Sequence, residues 1–241
     1  MPAALPAPRG AVLIIPTLNE EESICDVLAE ISRDYVARVI IADGGSTDGT
    51  VALAEELGAE VVGTGRGYGR ACLAAAVAAE DSDILIFMDG DGADDPALMP
   101  ALLAPIRDDT HDFVIGSRTR GRAAKGSLGW HQRLAGLTLG LGMWALYGVR
   151  YTDMCAFRAI KRQSLLALGM QEMTYGWNLE MQMRAARAGL RVLEIPIDNR
   201  ARIGGQSKVA GTLSGSLKAG SRILSTFWRI ASTRKARVCT P

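Results

Sequence analysis

Short apolar runs recur along the first half of the chain, each ending in a polar turn. Residues 11–15, 38–42, 60–62, 84–88 and 113–117 are such runs, too brief for helices and suited to strands buried on both faces of a sheet. Between them, apolar residues recur at helical spacing. Ile24, Val27, Leu28 and Ile31 form one stripe, preceded by Asn19 and Glu22 at the spacing of a capping box, and residues 50–57 form the next helix. Repeated strand, turn and helix units through Ile106 predict an α/β fold with a doubly wound, mostly parallel sheet. Ligands of such sheets bind beyond the carboxyl ends of the strands, where the loops diverge.

The second half is patterned differently. Residues 119–129 are basic and glycine-containing, a loop signature. Residues 134–149 carry no charge, between Arg133 and Arg150. That is short of the ~20 residues of a bilayer span, and its four glycines loosen it as a helix; a buried or interfacial helix is expected rather than a transmembrane one. Residues 161–168 and 178–188 read as helices, 192–197 as a returning strand and 200–208 as loop. Residues 209–237 read as one long amphipathic helix, with Leu213, Leu217, Leu224, Phe227, Trp228 and Ala231 near one face and Lys218, Arg222 and Arg229 elsewhere. A basic amphipathic helix suits a membrane surface, and packing on its own domain or on a second subunit stays equally open. The expected organisation is a disordered leader over 1–10, one α/β domain over 11–208, and a basic helical tail over 209–241.

Composition narrows the class. The 241 residues suffice for one generous domain. The cysteines 25, 72, 155 and 239 form no C-x-x-C pair, which argues against a zinc site or a disulfide framework and for a reducing compartment. The N-terminus lacks the apolar core of a signal peptide. A net charge of +1 hides a division: residues 1–112 carry 6 basic and 21 acidic side chains, residues 113–171 carry 9 basic and only Asp153, and nine basic residues but no acid follow Asp198. An acidic half able to hold a metal, joined to a basic half, suits a polyphosphate substrate gripped between them; the basic tail equally suits anionic lipid. Nucleic acid is disfavoured, because the basic residues are not interleaved with aromatic platforms.

Candidate chemistry sits where the fourth strand stops. Asp89 and Asp91 lie on a turn whose Gly90 and Gly92 allow close backbone approach to a ligand. Adjacent carboxylates repel, and a divalent cation such as Mg²⁺ or Mn²⁺ relieves them while keeping positions for substrate phosphates. The alternative is a solvated acidic turn capping the next helix, with Asp95 as N-cap and Pro96 at the first helical position. Asp43 opens a second polar turn, Asp43-Gly-Gly-Ser-Thr-Asp-Gly-Thr50, and is placed to accept hydrogen bonds from a base or ribose. The loop 63–69 has no register that gives a dinucleotide fingerprint; Arg66 and Arg70 stand there as surface charge or as nucleotide contacts.

Four stretches taken together, Pro16-Thr-Leu-Asn-Glu20, Asp43 to Thr50, Asp89-Gly-Asp91 and Arg202-Ile-Gly-Gly-Gln-Ser-Lys208, resemble family 2 glycosyltransferases in order and spacing. The likeness is strongest to the branch of dolichyl- and polyprenyl-phosphate mannosyl- or glucosyltransferases. It implies a GT-A type fold and a metal-dependent, inverting transfer of a hexose from a GDP- or UDP-sugar to a polyprenyl phosphate. By the same resemblance, Pro16, Leu18, Glu20, Ile41 and Asp43 line the nucleotide pocket, and Asp89 and Asp91 hold the Mg²⁺ or Mn²⁺ that bridges the donor diphosphate. Gly90 allows the close approach. Arg118, Arg202 and Lys208 meet phosphates, the last two in an R-x-x-G-x-S-K signature that includes Ser207; Arg133 is a further match. Leu18 and Ala93 depart from the pattern, where relatives place an aromatic residue and a metal-ligating glutamine.

A lipid phosphate is anionic near pH 7 and needs orientation more than a base, whereas a hydroxyl acceptor requires a carboxylate base. Glu180 lies near the position of that base in hydroxyl-using relatives, with an i, i+4 pair to Arg184 as its other reading. Asp153 is a candidate to orient the acceptor or an arginine. The expected setting is the cytoplasmic membrane face, held peripherally, with a second copy or a membrane subunit left open as partner. A non-catalytic nucleotide-sugar-binding subunit is the remaining alternative.

Overall fold

Strand β1 (Ala11–Thr17) is buried almost throughout and lies inside a seven-stranded sheet. The computed structural model that contains it describes residues 10–122, 130–198, 200–204 and 213–233, without the side chains of 130–133, 135 and 213–219. The other strands are β2 (Arg38–Asp43), β3 (Glu60–Gly63), β4 (Ile84–Phe87), β5 (Phe113–Ser117), β6 (Arg158–Lys161) and β7 (Val192–Pro196), in the order β3-β2-β1-β4-β6-β5-β7. All pairings are parallel except those of β6, which runs antiparallel to both β4 and β5.

The helices are α1 (Ile24–Ala29), α2 (Thr50–Glu56), α3 (Tyr68–Ala78), α4 (Met99–Arg107), α5 (Trp130–Tyr147), α6 (Arg162–Ala167), α7 (Trp177–Ala188) and α8 (Leu213–Ser232). Leu13, Ile14, Ile15, Ile40, Ile41, Leu85 and Ile86 are wholly buried, so helices cover both faces of the sheet centre. Each such side chain stabilises the fold by about 1.5–3 kcal/mol relative to exposure. The rigid centre puts the ends of β2, β1 and β4 side by side.

The expected sheet is present, with one strand more than the sequence pattern announced. β6 is four residues long and begins and ends with a cation, so it carries no strand signature of its own. Arg158 is nevertheless fully buried, donating to the carbonyls of Cys155 and Asn178 and lying 5.9 Å from the centroid of the Phe113 ring. The expected helix over 161–168 starts only after this strand.

The capping box is also corrected. Asn19 has φ +53°, and its side chain bonds another loop instead of α1, which begins at Ile24 behind Ser23. Helix α8 keeps its place, but its apolar residues divide: Ile230 is buried and Phe227 and Ala231 are half-buried, whereas Leu224 and Trp228 are exposed. No described helix is long and apolar enough to cross a membrane.

Candidate active site

The turns after β1 and β2 interlock. The Asn19 amide donates to Ser46 Oγ at 2.9 Å, and Asn19 Oδ1 accepts from the Thr47 amide at 2.8 Å. One residue on, the Glu20 amide donates to Thr50 Oγ1 at 2.8 Å. Asp43 accepts from the amides of Gly45 and Ser46 and from the Ser46 hydroxyl, so its carboxylate shapes its own turn. These bonds fix residues 16–20 as one wall of a pocket of about 430 Å³, within the range of small-molecule sites.

The acidic turn forms the floor. Ser23 Oγ donates to the Gly90 carbonyl at 2.7 Å, tying the turn to the start of α1. A Cβ on Gly90 would stand 3.2 Å from Ile15 and 3.3 Å from Thr17, so the chain runs against β1 with little space between. Asp91 is 5% exposed, and its Oδ1 accepts from the Ala93 amide at 2.9 Å while its Oδ2 lies 2.7 Å from Arg202 Nη2. The segment carrying Arg202 is laid along the turn by two backbone bonds, Arg200 N to Ala93 O at 3.0 Å and Ile203 N to Asp91 O at 2.9 Å. Arg200 adds ion pairs to Asp95 and Glu30. Asp95 also accepts from the Ala97 amide and caps the 3-10 turn Pro96–Leu98, so it takes the capping role while Asp89 and Asp91 face the pocket.

Burial, with the neighbouring charges of Asp91 and Asp94, pushes Asp89 up to about 7. Asp94, whose carboxylate accepts from the Asp89 amide, is pushed up to about 6, again chiefly by burial. This crowd of buried carboxyls is short of positive charge, and Asp91 already holds one cation from its own chain. The donor set therefore fits a hard divalent ion. Among the described residues no group of three or more His, Cys, Asp or Glu is arranged to hold a metal alone, so such an ion would rest on Asp89 and Asp91 and take its other ligands from phosphate and water.

Behind the turn, Arg118 makes a two-pronged pair with Asp153, Nε to Oδ2 and Nη2 to Oδ1, both at 2.8 Å, and its amide joins them at 2.9 Å. Burial alone would raise the Asp153 carboxyl, but the bonds and charge of Arg118 outweigh it and hold the group below its ordinary value. Neither residue lines the pocket. Arg118 is close enough for its charge to lower both Asp89 and Asp94.

Glu180 lies elsewhere. It is fully buried, accepts from the amides of Gln171 and Glu172, and pairs with Arg184 at 2.9 Å and Arg229 at 3.2 Å. A carboxylate so engaged has no oxygen turned to a substrate, which removes the geometric basis for a base at this position. Ile41 is likewise buried in β2 and presents nothing to the pocket. Ser207 and Lys208 lie outside the described residues, as do residues 1–9, 234–241 and the side chain of Arg133.

Residues that the motifs did not single out complete the pocket. Arg66, Gly67 and Tyr68 come from the turn into α3, and Thr174 and Tyr175 from the turn before α7. The Tyr68 hydroxyl donates to Asp89 Oδ1 at 3.4 Å. Their sequence signal is the run of glycines: the Arg70 amide bonds the Met173 carbonyl, and a Cβ on Gly69 would collide with the Glu172 carbonyl, so only glycine lets the two turns meet.

A mostly parallel sheet with a strand-end pocket, an acidic Asp-Gly-Asp floor and a basic rim agrees with the GT-A type fold that the sequence resemblance implies. Residues 12–169 match the family described as Glycosyl transferase family 2, and the chain belongs to that family. An uncharacterised glycosyltransferase of Mycobacterium tuberculosis is 36% identical over 225 residues, covering 92% of this chain and 98% of that protein. An undecaprenyl-phosphate mannosyltransferase of Micrococcus luteus is 33% identical over 220 residues, covering 84% and 88%. Among solved structures, glucosyl-3-phosphoglycerate synthase from M. tuberculosis, in complex with Mn²⁺, UDP and glucosyl-3-phosphoglycerate, superposes with a TM-score of 0.73 at 21% identity, covering 95% and 82%. The chain is thus a hexosyltransferase of family 2 with the fold its sequence pattern predicted.

Proposed function

We propose that the enzyme moves a hexose, mannose or glucose, from a GDP- or UDP-sugar to a polyprenyl phosphate at the cytoplasmic membrane face, inverting the anomeric carbon and using Mg²⁺ or Mn²⁺. The observation that carries this reading is the meeting of Asp89, Asp91 and Arg202 on one pocket floor, in a chain whose relatives include an undecaprenyl-phosphate mannosyltransferase and a polyprenol monophosphomannose synthase.

In this reading Pro16, Leu18, Glu20 and Arg66 hold the nucleotide, while Asp43 keeps the neighbouring turn in shape. Asp89 and Asp91 hold the metal, whose charge would stabilise the departing diphosphate. Arg202 turns from Asp91 to the donor phosphates, joined by Ser207 and Lys208. Arg118, oriented by Asp153, and Arg133 serve the acceptor phosphate. A phosphate oxygen of the acceptor attacks the anomeric carbon, the bond from that carbon to the donor's β-phosphate oxygen breaks, and the nucleoside diphosphate leaves. The attacking oxygen is already anionic, so the step needs no general base; the engagement of Glu180 by Arg184 and Arg229 favours this over a hydroxyl acceptor.

The test offers purified protein labelled GDP- and UDP-hexoses with Mn²⁺, and compares polyprenyl phosphate with polyprenol as acceptor. Label extracted into solvent with the phosphate alone supports the reading; equal or better transfer to the alcohol overturns it.

A further inference from the structure

We propose that an apolar face shared by α5 and α8 docks on an anionic lipid surface. The inference deepens the reading above, since it names the surface that would bring the pocket to a lipid acceptor, and it rests on that reading for its purpose though not for its evidence.

On α5, Leu134, Leu137, Leu141 and Trp144 are exposed by 52%, 49%, 58% and 58%. At about 100° per residue they fall within a quarter-turn of one another. The opposite side of the helix is buried: Leu139 and Met143 face the core, and Gly136 and Gly140 lie against the backbone carbonyls of Thr152 and Tyr151. The exposed stripe is therefore not the face that holds the domain together.

On α8, Leu224 is 56% and Trp228 69% exposed. Beside them, Phe227 closes on Gly142 of α5, where a Cβ would stand 2.7 Å from the ring, and it meets the Trp228 ring edge-on. Leu224 and Trp228 stand three residues before and one residue after Phe227 on α8, both exposed. These six large apolar side chains are exposed on two helices that meet at Phe227 and Gly142, where an ordinary protein face exposes such residues singly.

Charge selects the occupant. After Asp198 there is no acidic residue and there are nine basic ones. Arg200, Arg202, Arg222 and Arg229 pair with acids of the domain, while Lys208, Lys218, Arg234, Lys235 and Arg237 add positive charge to the sequence. Helix α5 carries no charge from Leu134 onward and is followed by the exposed Arg150. An apolar face bearing two tryptophans, set in cationic sequence, suits the headgroup layer of an anionic bilayer.

The same helix also braces the pocket. Arg222 Nε donates to the Glu172 carboxylate at 3.1 Å, and Thr226 Oγ1 donates to the same carboxylate at 3.0 Å. Glu172 in turn accepts from the Thr174 amide and hydroxyl, and Thr174 lines the pocket. A surface that holds α8 would steady this rim.

The test uses the full chain, without donor or acceptor, in co-sedimentation with phosphatidylglycerol-rich and with phosphatidylcholine vesicles. Two double variants, Trp144→Glu with Trp228→Glu and Leu137→Gln with Leu141→Gln, are compared with wild type after thermal melts establish that they fold. Wild type should partition to the anionic vesicles at least roughly tenfold better than either variant, and high salt should weaken it. Equal partitioning of wild type and variants, or wild-type dimers that the same substitutions disperse in place of vesicle binding, overturns the proposal. Transfer to detergent-dispersed polyprenyl phosphate separates the two readings. Vesicle binding without transfer removes the function but keeps the docking face, and transfer without vesicle binding does the reverse.

Discussion

Arg202 Nη2 stands 2.7 Å from Asp91 Oδ2, so the acidic turn is met by a cation from its own chain. In the proposed cycle a metal and a diphosphate compete for these two side chains. Arg202→Ala should therefore tighten Mn²⁺ binding to the donor-free protein and still lower the transfer rate, on the order of tenfold or more, because a charged hydrogen bond to the donor is lost. Titration of Mn²⁺ by paramagnetic resonance and initial rates check the two halves. A parallel fall in both would mean that Arg202 only props the turn.

Gly92 has φ +77°, and a Cβ there would collide with Ile203. Gly92→Ala strains the turn and lifts the 200–204 segment off it. Donor KM should rise severalfold, with a smaller loss of stability, about 1 kcal/mol. Kinetics and a denaturant melt separate the effects.

Asp153→Asn breaks a buried pair with Arg118, at a cost of about 3 kcal/mol near neutral pH. The folded carboxyl titrates below its unfolded value. Its contribution is therefore complete above the ordinary carboxylate range, near pH 4, and is lost as pH falls through the depressed value. The melting temperature of the variant should fall less steeply than that of wild type below about pH 4.

Glu180→Gln should act on stability alone. It weakens charged bonds to Arg184 and Arg229 in a buried site, about 2 kcal/mol, and the folded fraction should keep the wild-type pH–rate profile. Disappearance of the acidic limb in that profile, with a large loss of rate, would restore Glu180 as a proton acceptor.

What was legible in the sequence is what strand ends encode locally. β5 runs over Phe113–Ser117 as its apolar run predicts, and Asp89 and Asp91 reach the pocket because an apolar strand must release its first acids at the sheet edge. The i, i+4 pair of Glu180 with Arg184 was equally readable. Its burial beneath Arg229 was not, since that partner is 49 residues away and no local pattern links them. β6 was hidden because its burial comes from β4 and β5 on either side, not from its own four residues. Arg66 stood open between surface charge and nucleotide contact and Tyr68 was obscured for a related reason: the glycines around them record a contact with residues 172–173, whose position depends on the whole fold.

The most direct test of the account is mass spectrometry of the lipid product formed by wild type and by Asp91→Asn from a GDP- or UDP-hexose, polyprenyl phosphate and Mn²⁺. The account predicts a polyprenyl phosphate heavier by one hexose residue with wild type, absent without Mn²⁺ and reduced by roughly a hundredfold or more in the variant. A hexosylated lipid formed equally well by Asp91→Asn, or none from wild type with any donor of the panel, would contradict it.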